Sequence, residues 1–599
     1  MAVTDVAWDL EPLVFGEGDA GFDRLLEEAH ERATAFAGRY AGRVAELDGD
    51  ALAQAIGELQ AIGELTGRAG NFAALRFSVD TQDPATGALL QRAQERAARI
   101  ETQLLFFELE WAALDDERAD ELLGAPGLDT ARHYLRAARR YRPHLLTEPE
   151  EKVLTEKGVT GSSAWSRLFS EQVSALAVEL PDEPEPVALD VALSRLMSPD
   201  REVRRAAAGG VTLALAPGLR TRAFIFNTLL QDKATDDRLR RYPHWLSSRN
   251  LSNEASDESV QALLGAVRAR SDVPQRWYRL KARLLGLDRL ADFDRMAAVT
   301  QAEETVQWED AEELVLESYR AFSPELGDTV RGFFEGRRID APVRPGKRGG
   351  AFCAYAVPSE HPYILLNYTA RRRDVLTLAH ELGHGVHAAL ARPRGILEQH
   401  TPLTLAETAS VFGERLVFGR LREQATEPES RLALLAESIE DSIATVFRQT
   451  AMNRFEDLVH TDRRERGELS PDRFGELWAQ SQTELLGDAV EVTEGYRSWW
   501  SYVPHFIATP GYVYAYAYGQ LLAMSIYQRY LDEGEGFVPA YLELLAAGGS
   551  RSPEELAAIV GIDLADPGFW DRGLALIEAQ LHDAEDAARA ARPDVFSAA

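Results

Sequence analysis

The sequence predicts a mainly α-helical protein with one small β-sheet. Long segments carry apolar residues at three- and four-residue spacing, which is the pattern of a helix with one buried face. Runs with the composition of strands are short and few. Hydrophobic residues make up 45% of the chain and charged residues 27%, as in ordinary globular proteins. At 599 residues the chain is long enough to bury an extended helical core.

Helical patterns follow one another over residues 8–171. One buried stripe is predicted at Leu25, Leu26, Ala29 and Ala33. The segment Thr147–Glu150 has the residues of a capping box, in which a threonine and a glutamate satisfy the free backbone donors of a new helix. This part of the chain holds no dense cluster of histidine, cysteine and acidic residues. We therefore expect it to be architecture that walls a cleft.

The pattern changes over residues 172–190. Alternating apolar residues flank the proline-rich turn Pro181–Pro186, so the region is interpreted as two short strands or as a linker. Helical stripes then resume and continue to about Phe334. We therefore predict an N-terminal helical domain at residues 1–190 and a catalytic domain at residues 191–599.

A second change occurs after the flexible basic loop Arg344–Gly350. Ala351–Ala356 and Tyr363–Tyr368 are predicted to be two strands of a small sheet. Such a sheet either pairs main chain to main chain with an extended peptide or is purely structural, and both interpretations stay open. The glycines of the loop match neither a dinucleotide-binding nor a Walker motif, which argues against a phosphate site.

The next segment, Asp374–His387, contains the motif H-E-x-x-H. At 3.6 residues per turn, His380 and His384 lie one above the other on a helix, so both imidazoles can reach one metal ion. Glu381 projects beside them towards the water that such an ion binds. This motif is typical of zinc peptidases, and it predicts one Zn²⁺ per chain with Glu381 as the general base.

A catalytic zinc usually has three protein ligands and one open position. The longer motif with a third histidine is absent, because His387 stands where glycine is needed and Leu390 where the histidine would fall. The predicted helix Leu403–Glu414 follows and can donate a carboxylate. We predict Glu407 as the third ligand. Glu414, on the same face, either orients a histidine or is a solvated helix charge.

Composition indicates the cellular compartment of the protein and excludes some classes of binding partner. The single cysteine, Cys353, excludes an intramolecular disulfide and fits a reducing compartment. The first residues lack the pattern of a signal peptide, and no apolar run is long enough to span a membrane. The formal charge of −31 would repel phosphate backbones and anionic membranes. We expect a cytoplasmic protein with no nucleic acid or membrane partner.

The segment Trp499–Gly519 is dense in aromatic residues and contains His505. Attack of water on an amide builds negative charge on the carbonyl oxygen, and phenol or imidazole donors stabilise that charge. The alternating tyrosines Tyr512, Tyr514, Tyr516 and Tyr518 fit such a role. They equally fit the edge of a buried strand or helix, so the residues alone leave the choice open.

Several segments together resemble the thimet-type oligopeptidases and, more closely, oligoendopeptidase F. They are Trp8–Leu10, Phe77–Thr81, Lys347–Phe352, His361–Asn367, Thr377–His384, Ala406–Ser410 and Pro504–Phe506. The resemblance implies a largely helical, bowl-shaped zinc metallopeptidase with a deep substrate cleft. It also implies that His380, His384 and Glu407 bind zinc and that Glu381 is the general base.

The resemblance further implies that His505, Tyr512 and Tyr516 contact the substrate carbonyl. The segment departs from the family pattern at Gly511, Ala515 and Gly519, so Tyr514 and Tyr518 remain alternative oxyanion donors.

The predicted function is that of a zinc endopeptidase that cleaves internal bonds of short oligopeptides. One alternative is an exopeptidase with the same zinc chemistry, which needs a pocket for a terminal carboxylate or amine; whether Arg344, Lys347 or Arg348 forms such a pocket stays open. Another is a non-catalytic, zinc-containing peptide-binding protein, although a structural zinc site has no use for the base Glu381. The oligomeric state stays open.

Overall fold

The computed structural model describes residues 3–300, 305–566 and 568–597, and it is mainly α-helical, as predicted. The chain forms two compact units, each assembled from three separated segments. Unit 1 comprises Met1–Leu145, Glu303–Leu421 and Ile526–Leu564; unit 2 comprises Leu146–Ala302, Arg422–Ser525 and Ala565–Ala599. The predicted domain division at residue 190 follows chain order instead, and it stays a prediction.

The first segment of unit 1 is helical. Its helices are α1 (Gly18–Tyr40), α2 (Gly49–Val79), α3 (Pro84–Ala113), α4 (Asp116–Leu123) and α5 (Arg132–Arg140). Helices α1, α2 and α3 pack against one another. The predicted stripe of α1 is buried in their shared core, where Leu25 and Leu26 belong to the same apolar cluster as Phe22, Phe36 and Phe72. The buried face of α1 that helix periodicity predicts is therefore confirmed.

The first segment of unit 2 begins where the capping box was predicted. The Thr147 backbone N–H donates to the Glu150 carboxylate (2.9 Å) just before the next helix. The helices are α6 (Glu148–Thr160), α7 (Ser162–Ser174), α8 (Leu189–Ser194), α9 (Arg201–Leu215), α10 (Leu219–Leu239), α11 (Ser247–Ser252), α12 (Asp257–Ala269) and α13 (Asp272–Leu284). Strands β1 (Ala177–Val178) and β2 (Val187–Ala188) pair antiparallel, so the proline-rich region is a hairpin; β3 (Leu290–Ala291) follows α13.

The central segment of unit 1 carries the sheet and the motif helix. Its elements are α14 (Trp308–Phe322), α15 (Pro324–Glu335), β4 (Ile339–Pro342), β5 (Phe352–Ala354), β6 (Tyr363–Tyr368), α16 (Arg372–Ala391) and α17 (Leu403–Gln424). The two predicted strands are confirmed as the antiparallel pair β5 and β6. Strand β4, which pairs parallel with β6, was not predicted. The sheet order is β4-β6-β5, which leaves β5 at an edge within the described residues.

The remaining elements complete both units. They are α18 (Pro428–Ser442), α19 (Gln449–Arg466), α20 (Pro471–Leu486), β7 (Val490–Glu491), α21 (His505–Ala508), α22 (Tyr514–Glu533), α23 (Val538–Ala547), α24 (Pro553–Ile559), α25 (Phe569–Ala591) and α26 (Pro593–Ser597). Strand β7 pairs parallel with β3. In unit 2, α10, α19 and α20 enclose an aromatic core that includes Phe226, Phe455 and Trp478. Among the described residues, no helix is both long and apolar enough to cross a bilayer.

Candidate active site

Helix α16 holds the two motif histidines on the face opposite its packed side. At its start, the Asp374 carboxylate accepts hydrogen bonds from the backbone N–H groups of Thr369 (2.7 Å) and Arg371 (3.1 Å). The packed side is fully or almost fully buried and consists of Val375, Leu378, Ala379, Leu382 and Val386. The ring centroids of His380 and His384 are 5.0 Å apart. The one-turn spacing therefore presents both imidazoles together, as predicted from the motif.

Two glycines allow α17 to approach α16 closely. A Cβ on Gly383, between the two histidines, would lie 2.6 Å from the Cα of Ser410 and would also overlap the Ala409 carbonyl. A Cβ on Gly413 would overlap the hydroxyl of Tyr319, which donates to the Ala379 carbonyl on α16 (2.8 Å). Residues larger than glycine would therefore force the helices apart. The spacing of the H-E-x-x-H motif does not indicate that Gly383 or Gly413 is needed for this close packing. Sequence reasoning therefore missed the role of both glycines.

The close approach brings a carboxylate of α17 to the two histidines. Glu407 Oε2 lies 3.3 Å from His380 Nε2 and 3.7 Å from His384 Nε2. One ligand atom from each of the three residues falls within 4.8 Å of the others, and the three side chains are partly exposed. Ser410 Oγ donates to Glu407 Oε2 (2.7 Å) and helps to orient it. Two imidazoles and one carboxylate are the donor set of several catalytic zinc sites, so these residues fit a zinc ion.

Glu414 lies on the far side of the His380 ring. Its Oε2 is 3.5 Å from His380 Nδ1, while Nε2 of the same ring faces Glu407. A carboxylate behind the second ring nitrogen fixes the tautomer and orientation of a metal-binding histidine. The geometry therefore supports the orienting role for Glu414 over that of a solvated helix charge.

Burial and mutual charge set the protonation of the three residues. Burial lowers the pKa of His384 to about 4, although the Glu407 charge opposes this. Burial acts to lower the pKa of His380 too, but its hydrogen bonds with Glu407 and Glu414 raise it overall. For Glu407, burial acts to raise the pKa, but the hydrogen bond and charge of His380, with smaller contributions from His384 and Ser410, together outweigh burial and lower the pKa. An ionised carboxylate beside a neutral His384 is suited to binding a cation.

Glu381 is nearly buried, with 7% of its surface exposed. Burial raises its pKa to about 7, the His380 charge lowers it, and the Glu407 charge adds to the rise. Its Oε2 has no hydrogen-bond partner among the described residues. A carboxylate with a pKa near neutrality is suited to accept and return a proton.

Strand β5 and the residue after it lie close to this carboxylate. Burial raises the pKa of the Cys353 thiol, and the Glu381 charge adds to that rise. Burial likewise raises the pKa of the Tyr355 phenol, and the charges of Cys353, Glu407 and Glu381 add to that rise. Its ring stacks on that of His400 at 4.9 Å. The sequence prediction included Tyr355 in the strand Ala351–Ala356 without a role in the site, whereas in the structure the strand ends at Ala354.

A protein-family model described as peptidase family M3 matches residues 195–576, which is more than half of the chain. The chain belongs to peptidase family M3. A second model, described as oligopeptidase F, matches residues 110–177 of this M3 peptidase. The resemblance seen in the sequence is therefore confirmed, and the protein is a peptidase.

Curated relatives span most of the M3 peptidase. Oligopeptidase PepF of Bacillus subtilis is 26% identical over 561 residues, which cover 92% of this chain and 82% of the relative. Group B oligopeptidase PepB of Streptococcus agalactiae is 25% identical and covers 86% of each chain.

Solved structures share the fold. A structure from Chlamydophila abortus superimposes with a TM-score of 0.85 at 22% identity, over 98% of this chain and 99% of that one. Oligoendopeptidase-F from Enterococcus faecium has a TM-score of 0.73 at 23% identity, over 95% and 99% of the two chains. The mainly helical fold predicted from the sequence is thus that of known peptidase structures.

The predicted carbonyl-binding residues of the M3 peptidase form their own cluster in unit 2. The rings of His505 and Tyr512 stack with centroids 5.8 Å apart, and the Tyr516 ring stands nearly perpendicular to both. All three are partly exposed. Burial lowers the pKa of His505, which favours its neutral form. The structure therefore brings these three residues together, and their catalytic role stays a prediction.

The two alternative tyrosines are packed inside the protein. Tyr514 and Tyr518 are fully buried on α22. The Tyr514 hydroxyl accepts a hydrogen bond from Asn253 Nδ2 (3.0 Å), and the Tyr518 ring packs against Trp570 with centroids 4.7 Å apart. Their burial suits a structural role.

The basic loop before β5, Arg344–Gly350, contains the three candidate residues for a pocket that binds a terminal carboxylate. The Lys347 ammonium is buried and donates to Asp340 Oδ1 (2.6 Å) and to the carbonyls of Asp340 (3.1 Å) and Pro342 (2.8 Å). These contacts use all three of its donors. Arg344 also pairs with Asp340, and Arg348 lies over the Phe352 ring. The loop basic groups are therefore engaged within unit 1.

Proposed function

We propose that this M3 peptidase is a zinc endopeptidase that hydrolyses internal bonds of short oligopeptides. The observation that carries the proposal is the convergence of His380, His384 and Glu407 beside the nearly buried Glu381. The relatives named oligopeptidase support the substrate class.

His380, His384 and Glu407 would hold the zinc ion, and Glu414 would keep the His380 ring in place. When bound, zinc acts as a Lewis acid that polarises the scissile carbonyl and lowers the pKa of water. Catalytic zinc sites have three protein ligands and structural sites have four, so a donor set of three residues would suit a catalytic ion.

Glu381 would accept the proton of the attacking water and deliver it to the leaving amine nitrogen. Its raised pKa supports this double role, because a group that titrates near the working pH both takes up and releases a proton readily. A peptide-binding protein without catalysis would have no use for a buried carboxylate at this position. Glu381 therefore favours the enzyme over that alternative.

His505, Tyr512 and Tyr516 would donate hydrogen bonds to the carbonyl oxygen as it gains negative charge. Their partial exposure supports the proposal, since a donor must be reachable by substrate. Tyr514 and Tyr518 are assigned to packing because both are buried.

Two features support internal cleavage. Strand β5 lies at the edge of its sheet beside the motif helix, where an extended peptide can pair with its main chain whatever the peptide sequence. The donors of Lys347 are already used, which argues against a carboxypeptidase pocket at the basic loop.

The single cysteine, Cys353, supports a cytoplasmic location for the protein, because a reducing compartment does not favour disulfides.

A peptide-mixture digest read by mass spectrometry tests the proposal. The purified protein is incubated with peptides of about 5 to 20 residues and with a stable folded protein, each with and without a chelator. We expect internal cuts in the peptides, none in the folded protein, and loss of all cuts with the chelator. Removal of single terminal residues would instead indicate an exopeptidase. Absence of cleavage in zinc-loaded protein would overturn the proposal.

A further inference from the structure

The segment before Tyr512 is held in an unusual backbone conformation. Gly511 has φ +72°, in the left-handed region that favours glycine. A Cβ at this position would lie 2.5 Å from Leu246 Cδ1 and 3.4 Å from both Trp245 Cζ3 and Arg249 Cβ. The segment therefore fits closely against the start of α11, within unit 2.

A buried acid on α19 binds this segment directly. Glu456 is 1% exposed, and its Oε1 accepts a hydrogen bond from the Gly511 backbone N–H (2.8 Å). The preceding carbonyl, of Pro510, accepts from Arg249 Nε (3.3 Å). The carbonyl and the N–H of the Pro510–Gly511 peptide group, just before Tyr512, are thus held by side chains from two different helices.

Helix α19 also secures the surface against which the glycine packs. The Trp245 ring stacks on the buried His460 ring with centroids 4.3 Å apart. The Trp245 indole N–H donates to Asp457 Oδ1 (3.1 Å). Glu456, Asp457 and His460 are therefore neighbours on one helix that together fix the place of Gly511.

Burying a carboxyl group in a protein is costly, so a buried acid needs a compensating role or partner. Burial raises the pKa of Glu456 to about 8, while the Gly511 hydrogen bond and the Arg249 charge oppose the rise. Its other oxygen, Oε2, has no hydrogen-bond partner among the described residues. The hydrogen bond to Gly511 is thus a main polar contact of Glu456.

We propose that Glu456 is a positioning residue for Tyr512, acting through its hydrogen bond to the Gly511 N–H. This inference rests on the proposed role of Tyr512 as a donor to the substrate carbonyl. The Tyr512 side chain follows directly after the anchored peptide, so release of Gly511 would let the phenol shift. A misplacement of about 1 Å in a catalytic site costs on the order of a hundredfold in rate.

Two substitutions separate the hydrogen bond from the packing. Glu456→Gln keeps an acceptor oxygen for the Gly511 N–H, and Glu456→Leu fills a similar volume without one. Val459→Ala, on the same helix and fully buried, is the control for simple destabilisation. We expect Glu456→Leu to lower kcat about ten- to a hundredfold with little change in KM. Glu456→Gln should restore most of kcat, and Val459→Ala should retain kcat well below its Tm.

A double-mutant cycle with Tyr512→Phe tests whether Glu456 acts through Tyr512. If it does, Glu456→Leu lowers kcat far less in the Tyr512→Phe background than in the wild type. Wild-type kcat in Glu456→Leu, or equal losses in Glu456→Leu and Val459→Ala at matched Tm, would overturn the inference while leaving the role of Tyr512 intact. Wild-type kcat in Tyr512→Phe itself would overturn both.

Discussion

Glu381 is the side chain on which the proposed hydrolysis depends most directly. In Glu381→Gln the shape is kept, but the amide cannot accept a proton. We expect zinc content equal to that of the wild type and a loss of kcat of at least about a hundredfold. Elemental analysis and steady-state kinetics on the same preparation measure both quantities. Normal hydrolysis by zinc-loaded Glu381→Gln would exclude Glu381 as the base.

Glu407 contributes the only carboxylate of the three-residue cluster. Glu407→Ala removes an anionic ligand, so zinc should bind much more weakly. Glu414→Gln should weaken binding less, by about ten- to a hundredfold, because it disturbs only the orientation of His380. Competition with a chromogenic chelator gives both affinities. If Glu407→Ala holds zinc as tightly as wild type, another residue is the third ligand.

Tyr516 and Tyr514 form a matched pair that separates catalysis from packing. Tyr516→Phe should lower kcat and kcat/KM together, by roughly a hundredfold or more, with KM nearly unchanged. Tyr514→Phe loses the hydrogen bond from Asn253 and should cost about 1 kcal/mol of stability with normal turnover. The melting temperatures and steady-state kinetics of both variants distinguish a catalytic role from a packing role. Wild-type kcat in Tyr516→Phe would leave His505 and Tyr512 as the donors to test.

The contact between helices α16 and α17 brings His380, His384 and Glu407 together. Gly383→Ala should separate the helices, because the new Cβ meets the backbone of Ala409 and Ser410. We expect a lower Tm and weaker zinc binding. Gly419→Ala, on the partner helix α17, is the control: its Cβ would lie 3.5 Å from the Tyr527 hydroxyl, and alanine favours a helix by up to about 1 kcal/mol. Equal zinc affinity in the two variants would contradict the close-approach argument.

For the whole molecule, Glu456 links stability to pH. Burial raises its pKa from 4.5 to about 8 in the folded protein. Between these values the folded state keeps a proton that the unfolded state has lost, so this group's contribution to stability falls as pH rises. Glu456→Gln cannot titrate, so its stability should fall less steeply over this window. Urea denaturation at pH 5, 6, 7 and 8 measures the difference, and parallel curves would show that Glu456 is already ionised when folded.

Much of the site could be predicted because it depends on local geometry. Helix pitch alone places His380 above His384, and the predicted second helix carries Glu407 on the face that meets them. The β5–β6 hairpin was predictable for the same reason, since its strands are close in sequence. Strand β4 was not, because its parallel pairing with β6 joins strands separated by a longer connection.

The sequence by itself determined the helical class and the H-E-x-x-H motif with its two histidines on one helix face, because backbone periodicity specifies which side chains share a face. Only the tertiary structure decided which candidates are accessible. The tyrosines alternate in the sequence, yet Tyr516 is partly exposed and Tyr514 is buried, since distant helices cover one side of α22. Glu456 likewise acquires its partner, the Gly511 N–H, only when segments that are distant in the sequence pack together. Burial depends on those long-range contacts, which no local pattern encodes.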